Sequence, residues 1–363
     1  MFPEDFVERH VLARSDAGDL IFDPFSGRGT TVFQSLLMNR RSAGTDINPV
    51  AACIAGAKAA PPGLLDVLTR IDALQSVYAA PEFDLGEFFE HCFHKNTLPQ
   101  VVFLRGQLNW QHDPVDRFIA AMALGALHGE SHRSKLCFSN RMPRTISTKP
   151  DYSVRWWVSR NLVAPDRDVF TILKELARFR LAKGVPERSG RVVLADARDA
   201  SRVHPELIGQ VSLIVTSPPY VDVTDYAEDQ WLRLWFLGGE PRPRARSYAD
   251  DRHTQLHAYW KFMTEAWAGL RDLLAPDAAI VIRIGGKVAL DELSSGLSKS
   301  LAEGLEGFAV EAIGDVNTTE LRKRQTNAFR PGTQAGVEHD FIFEVASEQR
   351  PAAQAAASET VFA

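Results

Sequence analysis

The sequence is poor in cysteine and contains no long apolar run. Its three cysteines have no paired spacing, which argues against a disulfide framework or a zinc ribbon; they are Cys53, Cys92 and Cys137. The apolar stretch FIAAMALGAL, at 118–127, is shorter than the roughly 20 residues that span a bilayer. The start, MFPEDFVERH, carries acidic residues and no apolar core, so we expect no signal peptide. These absences favour a cytoplasmic protein with no membrane partner.

Metal-binding spacing and a general excess of positive charge are also missing. HCFH at 91–94 brings its side chains too close together along the chain to chelate one ion, so we predict no metal site. The net charge is -5, so contact with a nucleic acid would depend on local basic segments.

Short apolar segments alternate with turns and helical patterns in two parts of the chain. LIFDP (20–24) and SAGTDINP (42–49) predict two strands that flank a helix. The alternation resumes after residue 190 with four apolar segments: RVVLADA, VSLIVTSPPY, AAIVIRIGG and HDFIFEV. We expect HDFIFEV to be an edge strand. The pattern predicts an α/β protein with a doubly wound, mostly parallel sheet and helices on both faces.

The middle of the chain interrupts this alternation. Residues 84–188 predict an inserted, mainly helical and basic subdomain between the two halves of the sheet domain, 1–83 and 189–346. The tail, 347–363, is expected to be disordered because it has little to bury.

A glycine-rich turn follows the first predicted strand. DPFSGRGTT places Gly27 and Gly29 at the start of a helix, where the backbone can approach a ligand closely. The lysine of a phosphate-binding loop is absent, and Val32 replaces the third glycine of a dinucleotide fingerprint. Asp46 ends the next strand, placed to accept hydrogen bonds from two ribose hydroxyls. S-adenosylmethionine, which has a ribose but no pyrophosphate, fits this pattern; a turn that serves only packing is the alternative.

DPFSGRGTT, GTDINP and TSPPY together resemble the S-adenosylmethionine-dependent amino-methyltransferases of DNA, which act on cytosine N4 or adenine N6. The resemblance covers about residues 1–60 and 190–345 and implies a sheet of the class I methyltransferase type. It also implies a set of cofactor-binding positions: Pro3, Phe6, Asp23, Phe25, Gly27, Gly29, Thr30, Asp46, Asn48 and Asp196.

TSPPY follows a buried apolar run, where two prolines could simply end a strand. A base amine is a poor nucleophile because its lone pair is delocalised into the ring. The Ser217 hydroxyl and the Pro218 carbonyl can accept its hydrogens, the ring of Pro219 helps to fix the backbone, and Tyr220 can stack on a base rotated out of the duplex. These four residues are our predicted catalytic group. In the family, serine at the first motif position is associated more with cytosine N4, and adenine N6 is the alternative.

Basic residues are concentrated at 131–160, which holds seven Lys or Arg and one acid. We therefore expect the inserted subdomain to recognise double-stranded DNA. The predicted nucleic-acid contacts are Arg141, Arg144, Lys149 and Arg155 in this segment, and Arg244 in a second basic loop, 238–253, near the catalytic motif. Trp156 and Trp157 lie in the first segment, and the alternative is that they belong to the core while the arginines form a solvated rim.

The resulting hypothesis is site-specific DNA methylation, as in restriction–modification or phage defence. A companion restriction endonuclease and the oligomeric state, monomer or homodimer, are left open. The rival hypotheses are an RNA base amino-methyltransferase, a non-catalytic DNA-binding protein on the same fold and, weakest, a nicotinamide dehydrogenase.

Overall fold

A mixed β-sheet forms the centre of the first of two units in a computed structural model of the protein. The structure describes residues 2–130, 136–142, 150–221, 230–243, 255–286, 288–320 and 337–348. The first unit comprises Met1–Ile47, Glu187–Thr224 and Tyr248–Ala363, and the second comprises Asn48–Pro186 and Asp225–Ser247.

The secondary structure of the described residues is numbered along the chain. The strands are β1 Leu20–Asp23, β2 Arg41–Asp46, β3 Gly129–Glu130, β4 Arg141–Met142, β5 Arg191–Leu194, β6 Val211–Thr216, β7 Leu274–Gly285, β8 Phe308–Ala312, β9 Asn317–Glu320 and β10 Val337–Ser347. The α-helices are α1 Glu4–Arg14, α2 Thr30–Leu37, α3 Pro49–Ala59, α4 Leu64–Ser76, α5 Glu87–Cys92, α6 Thr97–Gln107, α7 Pro114–Ala126, α8 Pro150–Val158, α9 Val169–Arg180, α10 Ala200–Val203, α11 Trp231–Phe236, α12 Leu256–Leu270 and α13 Leu290–Gly304.

The strand order of the sheet is β5-β2-β1-β6-β7-β10-β8, and β9 also pairs with β10. The first five strands in this order, β5, β2, β1, β6 and β7, pair in parallel, whereas β10 is antiparallel to β7, β8 and β9. Every residue of β1 is buried, as expected for a parallel strand that is covered on both faces.

Alternate residues of the strands face two separate hydrophobic clusters. Ile21 and Val281 pack with Phe6 and its neighbours on α1. Phe22 and Ile280 face the opposite cluster, which includes residues of α12 and α13. The predicted α/β class, the mostly parallel sheet and the helices on both faces, as expected for a class I methyltransferase, are confirmed.

One strand prediction is wrong in its position. HDFIFEV lies in β10, which is an interior strand between β7 and β8 rather than an edge strand. The edge is β8, Phe308–Ala312, most of whose residues are exposed. Its sequence, FAVEA, is too short to be recognised as a strand from its pattern, and it pairs with the second half of β10.

The second unit is mainly helical, as predicted for the insertion, and has its own hydrophobic core. Aromatic rings of α5 and α11 meet in this core: the centroids of Phe88 and Trp231 are 4.9 Å apart, and those of Phe89 and Trp235 are 4.6 Å apart. In the described part of the chain, no helix combines the length and the apolar character needed to cross a bilayer.

The division into units differs from the predicted boundaries. The predicted insertion begins after residue 83, whereas the second unit begins at Asn48 and also includes residues 225–247. The reason is that α3 and α4 pack on helices of the insertion. The Nζ atom of Lys174 on α9 lies 2.5 Å from Oδ1 of Asp72 on α4. The Cys53 thiol of α3 donates to the Arg117 carbonyl of α7, 3.7 Å away. The predicted tail lies outside the described residues from residue 349 onward.

Candidate active site

The glycine turn connects β1 to α2 and is attached to both β1 and β2. Gly27 and Gly29 adopt left-handed backbone angles, with φ of 52° and 70°, which glycine adopts without the steric cost of a side chain. The Ser26 amide donates to the Thr45 carbonyl at 3.0 Å, and its hydroxyl donates to the Asp23 carbonyl at 2.9 Å. These bonds hold the turn over the carboxyl ends of the two strands.

Asp46 lies beside this turn at the end of β2. One carboxylate oxygen accepts a hydrogen bond from the Gly27 amide at 2.7 Å, and the side chain belongs to a half-buried residue. The carboxylate therefore helps to order the turn and keeps accepting capacity for a ligand.

Gly44 allows β2 to approach the turn closely. A Cβ at this position would lie 2.3 Å from the Ser26 hydroxyl and 2.4 Å from the Asp23 carbonyl oxygen. Since the second of these atoms is backbone, a larger residue would force the turn to move.

Asp23 lies beneath the turn and is only 2% exposed. Its Oδ1 accepts a hydrogen bond from the Thr216 hydroxyl at 2.6 Å and another from the Phe25 amide at 3.1 Å. Burial raises the pKa of Asp23 to about 7, and the hydrogen bonds from Thr216 and Phe25 oppose that rise. Asp23 is one of the predicted cofactor residues, and in the structure it connects the glycine turn to the end of β6.

The predicted catalytic motif begins at the residue that directly follows β6. Pro218 is buried, while Ser217, Pro219 and Tyr220 are half-buried. The Ser217 and Tyr220 hydroxyl oxygens are 3.4 Å apart, which is long for a hydrogen bond between hydroxyls. The Tyr220 hydroxyl donates to Glu338 of β10 at 3.0 Å. Since β1 and β6 are parallel neighbours, the motif and the glycine turn lie at the same edge of the sheet.

Asp196, another of the predicted cofactor residues, takes part in an ion pair. Asp196 accepts hydrogen bonds from the amide and guanidinium of Arg198, and Arg198 also binds Glu265 at 3.0 Å. Nearby, the rings of Phe25 and Phe262 lie 6.0 Å apart. Arg198 and Phe262 were not predicted, because a charged residue after LADA and an aromatic on a helix carry no specific signal.

The remaining predicted cofactor residues have different environments. Pro3 is exposed and Thr30 is half-buried at the start of α2. Phe6 is 2% exposed, and the Arg283 guanidinium lies 3.9 Å from its ring centroid. Asn48 belongs to the second unit, where its side chain caps α3 by accepting from the Val50 amide at 2.9 Å.

The predicted nucleic-acid residues are only partly within the described chain. Arg155 is exposed on α8 and Arg141 is half-buried on β4, whereas Arg144, Lys149 and Arg244 lie outside the described residues. Trp157 has no exposed surface and donates to the Arg141 carbonyl at 3.0 Å, so it is a core residue. The arginine contacts stay predictions.

Comparison with known proteins supports the interpretation of the glycine turn. Residues 1–55 match the family model described as DNA methylase. The orphan methyltransferase M.BamHII of Bacillus amyloliquefaciens is 48% identical over 48 residues, which are 13% of this chain and 18% of that protein. The type II methyltransferase M.HpaI of Haemophilus parainfluenzae is 48% identical over 46 residues, 13% of this chain and 15% of that protein. The matches therefore span less than a fifth of either relative.

Similarity to solved structures is weak. TrmN from Thermus thermophilus aligns with 94% of this chain and 47% of its own at a TM-score of 0.34 and 12% identity. A likeness of that size carries no argument about activity.

S-adenosylmethionine fits the residues at this edge of the sheet. The matched segment contains the turn, whose two glycines carry no side chain that could block a ligand, and Asp46, which can accept from ribose hydroxyls. Phe25 offers an aromatic surface for an adenine, and no phosphate-binding lysine is present in the turn.

Replacing Gly44 by alanine should disturb this site through the contact of β2 with the turn. We expect Gly44→Ala to lower the free energy of unfolding by about 1–3 kcal/mol and to weaken binding of S-adenosylmethionine, as measured by denaturant titration and calorimetry. Gly106→Ala is the control because Gly106 is exposed on α6 and a Cβ there meets open space. It should be neutral or up to about 1 kcal/mol stabilising; equal effects of the two variants would contradict the packing argument.

The raised pKa of Asp23 should make stability depend on pH. Burial raises this pKa from 3.8 to about 7, so between these values the folded protein holds a proton that the unfolded chain releases. The free energy of unfolding should therefore fall as pH rises through this window.

Thermal unfolding of the wild type and of Asp23→Asn is measured from pH 4.5 to 8, a range of about the two pKa values of Asp23. The comparison gives the contribution of Asp23 to the pH dependence of stability. The amide mimics the protonated acid and cannot ionise, so the melting temperature of the variant should fall less with pH. Parallel curves would show that Asp23 does not titrate in this range.

Proposed function

We propose that the protein transfers a methyl group from S-adenosylmethionine to the exocyclic amine of a base rotated out of double-stranded DNA, with cytosine N4 preferred to adenine N6. The observation that carries the proposal is the contact between Asp23 and Thr216. It joins the glycine turn, which lies in the segment that matches a DNA methylase, to Thr216, the last residue of β6 and the one before Ser217.

The residues after β6 would act by positioning and polarising the base amine. Hydrogen bonds from the amine to the Ser217 hydroxyl oxygen and the Pro218 carbonyl favour a more tetrahedral nitrogen, whose lone pair becomes available for bonding. The two prolines hold these acceptors in place, and Tyr220 offers a ring for stacking. When bound, S-adenosylmethionine supplies a methyl group activated by a positively charged sulfur. Most of the acceleration then comes from alignment rather than from a strong base.

The preference for cytosine follows from the resemblance, in which serine at position 217 is associated more with N4 methylation. M.HpaI is named a type II methyltransferase, and by that likeness we propose site-specific methylation. The lack of paired cysteine spacing favours a location in the cytoplasm. The basic residues of the second unit, including Arg155, would neutralise DNA phosphates.

Identification of the methylated nucleoside tests the proposed function. Purified protein is incubated with labelled S-adenosylmethionine and either mixed-sequence duplex DNA or total RNA, and the modified nucleoside is identified by mass after digestion. We expect N4-methylcytosine in DNA. N6-methyladenine would preserve the chemistry and overturn the choice of base, and label in RNA alone would overturn the DNA substrate. Bound cofactor with no label on either substrate would favour the non-catalytic alternative.

Variants should separate methyl transfer from cofactor binding. Ser217→Ala should lower kcat roughly 100-fold or more while leaving the Kd for S-adenosylmethionine within about twofold, because it removes one acceptor for the amine. Asp46→Ala should weaken the cofactor roughly tenfold or more, because a charged hydrogen-bond acceptor is lost.

Ser212→Ala is a matched control on the same strand, five residues before Ser217. It should retain wild-type kcat and Kd. Equal losses of cofactor affinity in Ser217→Ala and Asp46→Ala would contradict this division of roles.

A further inference from the structure

Two buried acidic residues lie at the beginning of β10. Glu338 is 2% exposed and Asp340 is 3% exposed, and Arg283 on the neighbouring strand β7 is 5% exposed. Asp340 is directly opposite Arg283 in the antiparallel register. None of these residues belongs to a motif identified in the sequence.

The two carboxylates have different partners. Asp340 binds Arg283 with two hydrogen bonds, from Nε at 2.6 Å and from Nη2 at 2.7 Å. Glu338 lies farther from the guanidinium, with 3.9 Å between its Oε2 and Nη1. Its Oε1 instead accepts the hydrogen bond from the Tyr220 hydroxyl at 3.0 Å. The ion pair with Asp340 thus fixes Arg283, and Arg283 places a positive charge behind Glu338.

Gly285 makes room for this contact. It is the residue of β7 opposite Glu338. A Cβ on Gly285 would lie 2.6 Å from the Val337 carbonyl oxygen and 3.1 Å from an edge carbon of the Tyr220 ring. The Tyr220 ring therefore lies against bare backbone, with its hydroxyl directed at the carboxylate.

A carboxylate fixes the direction of the hydrogen bonds that lead to it. An ionised Glu338 has no proton to donate, so the Tyr220 hydroxyl must donate to it. The Tyr220 oxygen can then only accept from Ser217, whose hydroxyl oxygen is 3.4 Å away. Bonds of this kind are often long without substrate and shorten in the reacting complex.

We propose that Glu338 is a positioning residue that sets the direction of the chain Ser217 to Tyr220 to Glu338. With its own hydrogen directed at Tyr220, Ser217 presents only lone pairs to the base amine. This inference rests on the proposed function, because it assigns the Ser217 oxygen its role as an acceptor.

The direction matters because the ring nitrogen beside the amine, N3 in cytosine or N1 in adenine, is itself an acceptor. A serine hydroxyl that rotates freely can donate to that nitrogen, and in that pose it does not polarise the amine. Glu338 removes this competing pose. In its absence, DNA bound in the unreactive pose should lower kcat without weakening binding.

The test compares Glu338→Gln with Glu344→Gln, an exposed carboxylate on the same strand. An amide can donate as well as accept, so Glu338→Gln permits the reversed chain. We expect kcat to fall about 10- to 100-fold, the size of effect expected for a hydrogen bond to a charged group. The melting temperature and the KM for the cofactor should remain near those of the wild type, the KM for DNA should not rise, and Glu344→Gln should match the wild type throughout.

A double variant distinguishes positioning from a merely structural role. If Glu338 acts through Tyr220, adding Glu338→Gln to Tyr220→Phe should cost no further activity, since the hydroxyl that it orients is already gone. An equal loss of kcat in both backgrounds, or unchanged kcat in Glu338→Gln, would overturn the proposal.

Ultraviolet titration of the tyrosines gives a measurement that does not need activity. In the wild type, the Tyr220 signal is the difference between its titration and that of Tyr220→Phe. In Glu338→Gln, it is the difference between the titration of that variant and that of the double variant Tyr220→Phe/Glu338→Gln. The phenol should ionise at lower pH in Glu338→Gln, because the neighbouring negative charge is removed. Unchanged ionisation would contradict the contact even if the wild type methylates no base. A lowered ionisation pH with an inactive wild type would instead support the contact and contradict only the proposed function.

Discussion

The hydrogen bond between Asp23 and Thr216 is the interaction on which the rest of the site depends. It joins the last residue of β1 to the last residue of β6, and the two strands carry the glycine turn and the motif Ser217–Tyr220. A parallel sheet brings such strand ends to one edge but leaves their loops free to diverge. The Asp23 carboxyl restrains both loops from beneath, because it also binds the Phe25 amide.

This arrangement places a titratable group inside the scaffold rather than at its surface. A carboxyl that is 2% exposed resists ionisation, and as a protonated acid it can donate one hydrogen bond as well as accept others. The site thus combines two kinds of buried acid. Burial raises the pKa of Asp23, whereas Glu338 lies 3.9 Å from the Arg283 guanidinium and accepts a hydrogen bond from the Tyr220 hydroxyl.

Local patterns in the sequence were sufficient to predict the sheet class and the two loops. Gly27, Gly29 and Asp46 follow short apolar strands at characteristic distances, and two prolines mark the end of β6. The contacts between distant segments were not predictable in this way. Glu338 is 118 residues from Tyr220, and Arg198 is 67 residues from Glu265. The three consecutive polar residues at the start of β10 were a usable signal, since buried strands rarely carry them without partners.

The reversed direction of β10 determines which of its residues reach this edge of the sheet. An antiparallel strand delivers its first residues to the edge at which its parallel neighbours end, so Glu338 reaches Tyr220 from the beginning of β10. The pairing of Asp340 with Arg283 fixes the register of that strand, and a slip by one residue would turn Glu338 to the opposite face. The ion pair therefore acts as a register lock, which keeps the Glu338 carboxylate beside the Tyr220 hydroxyl.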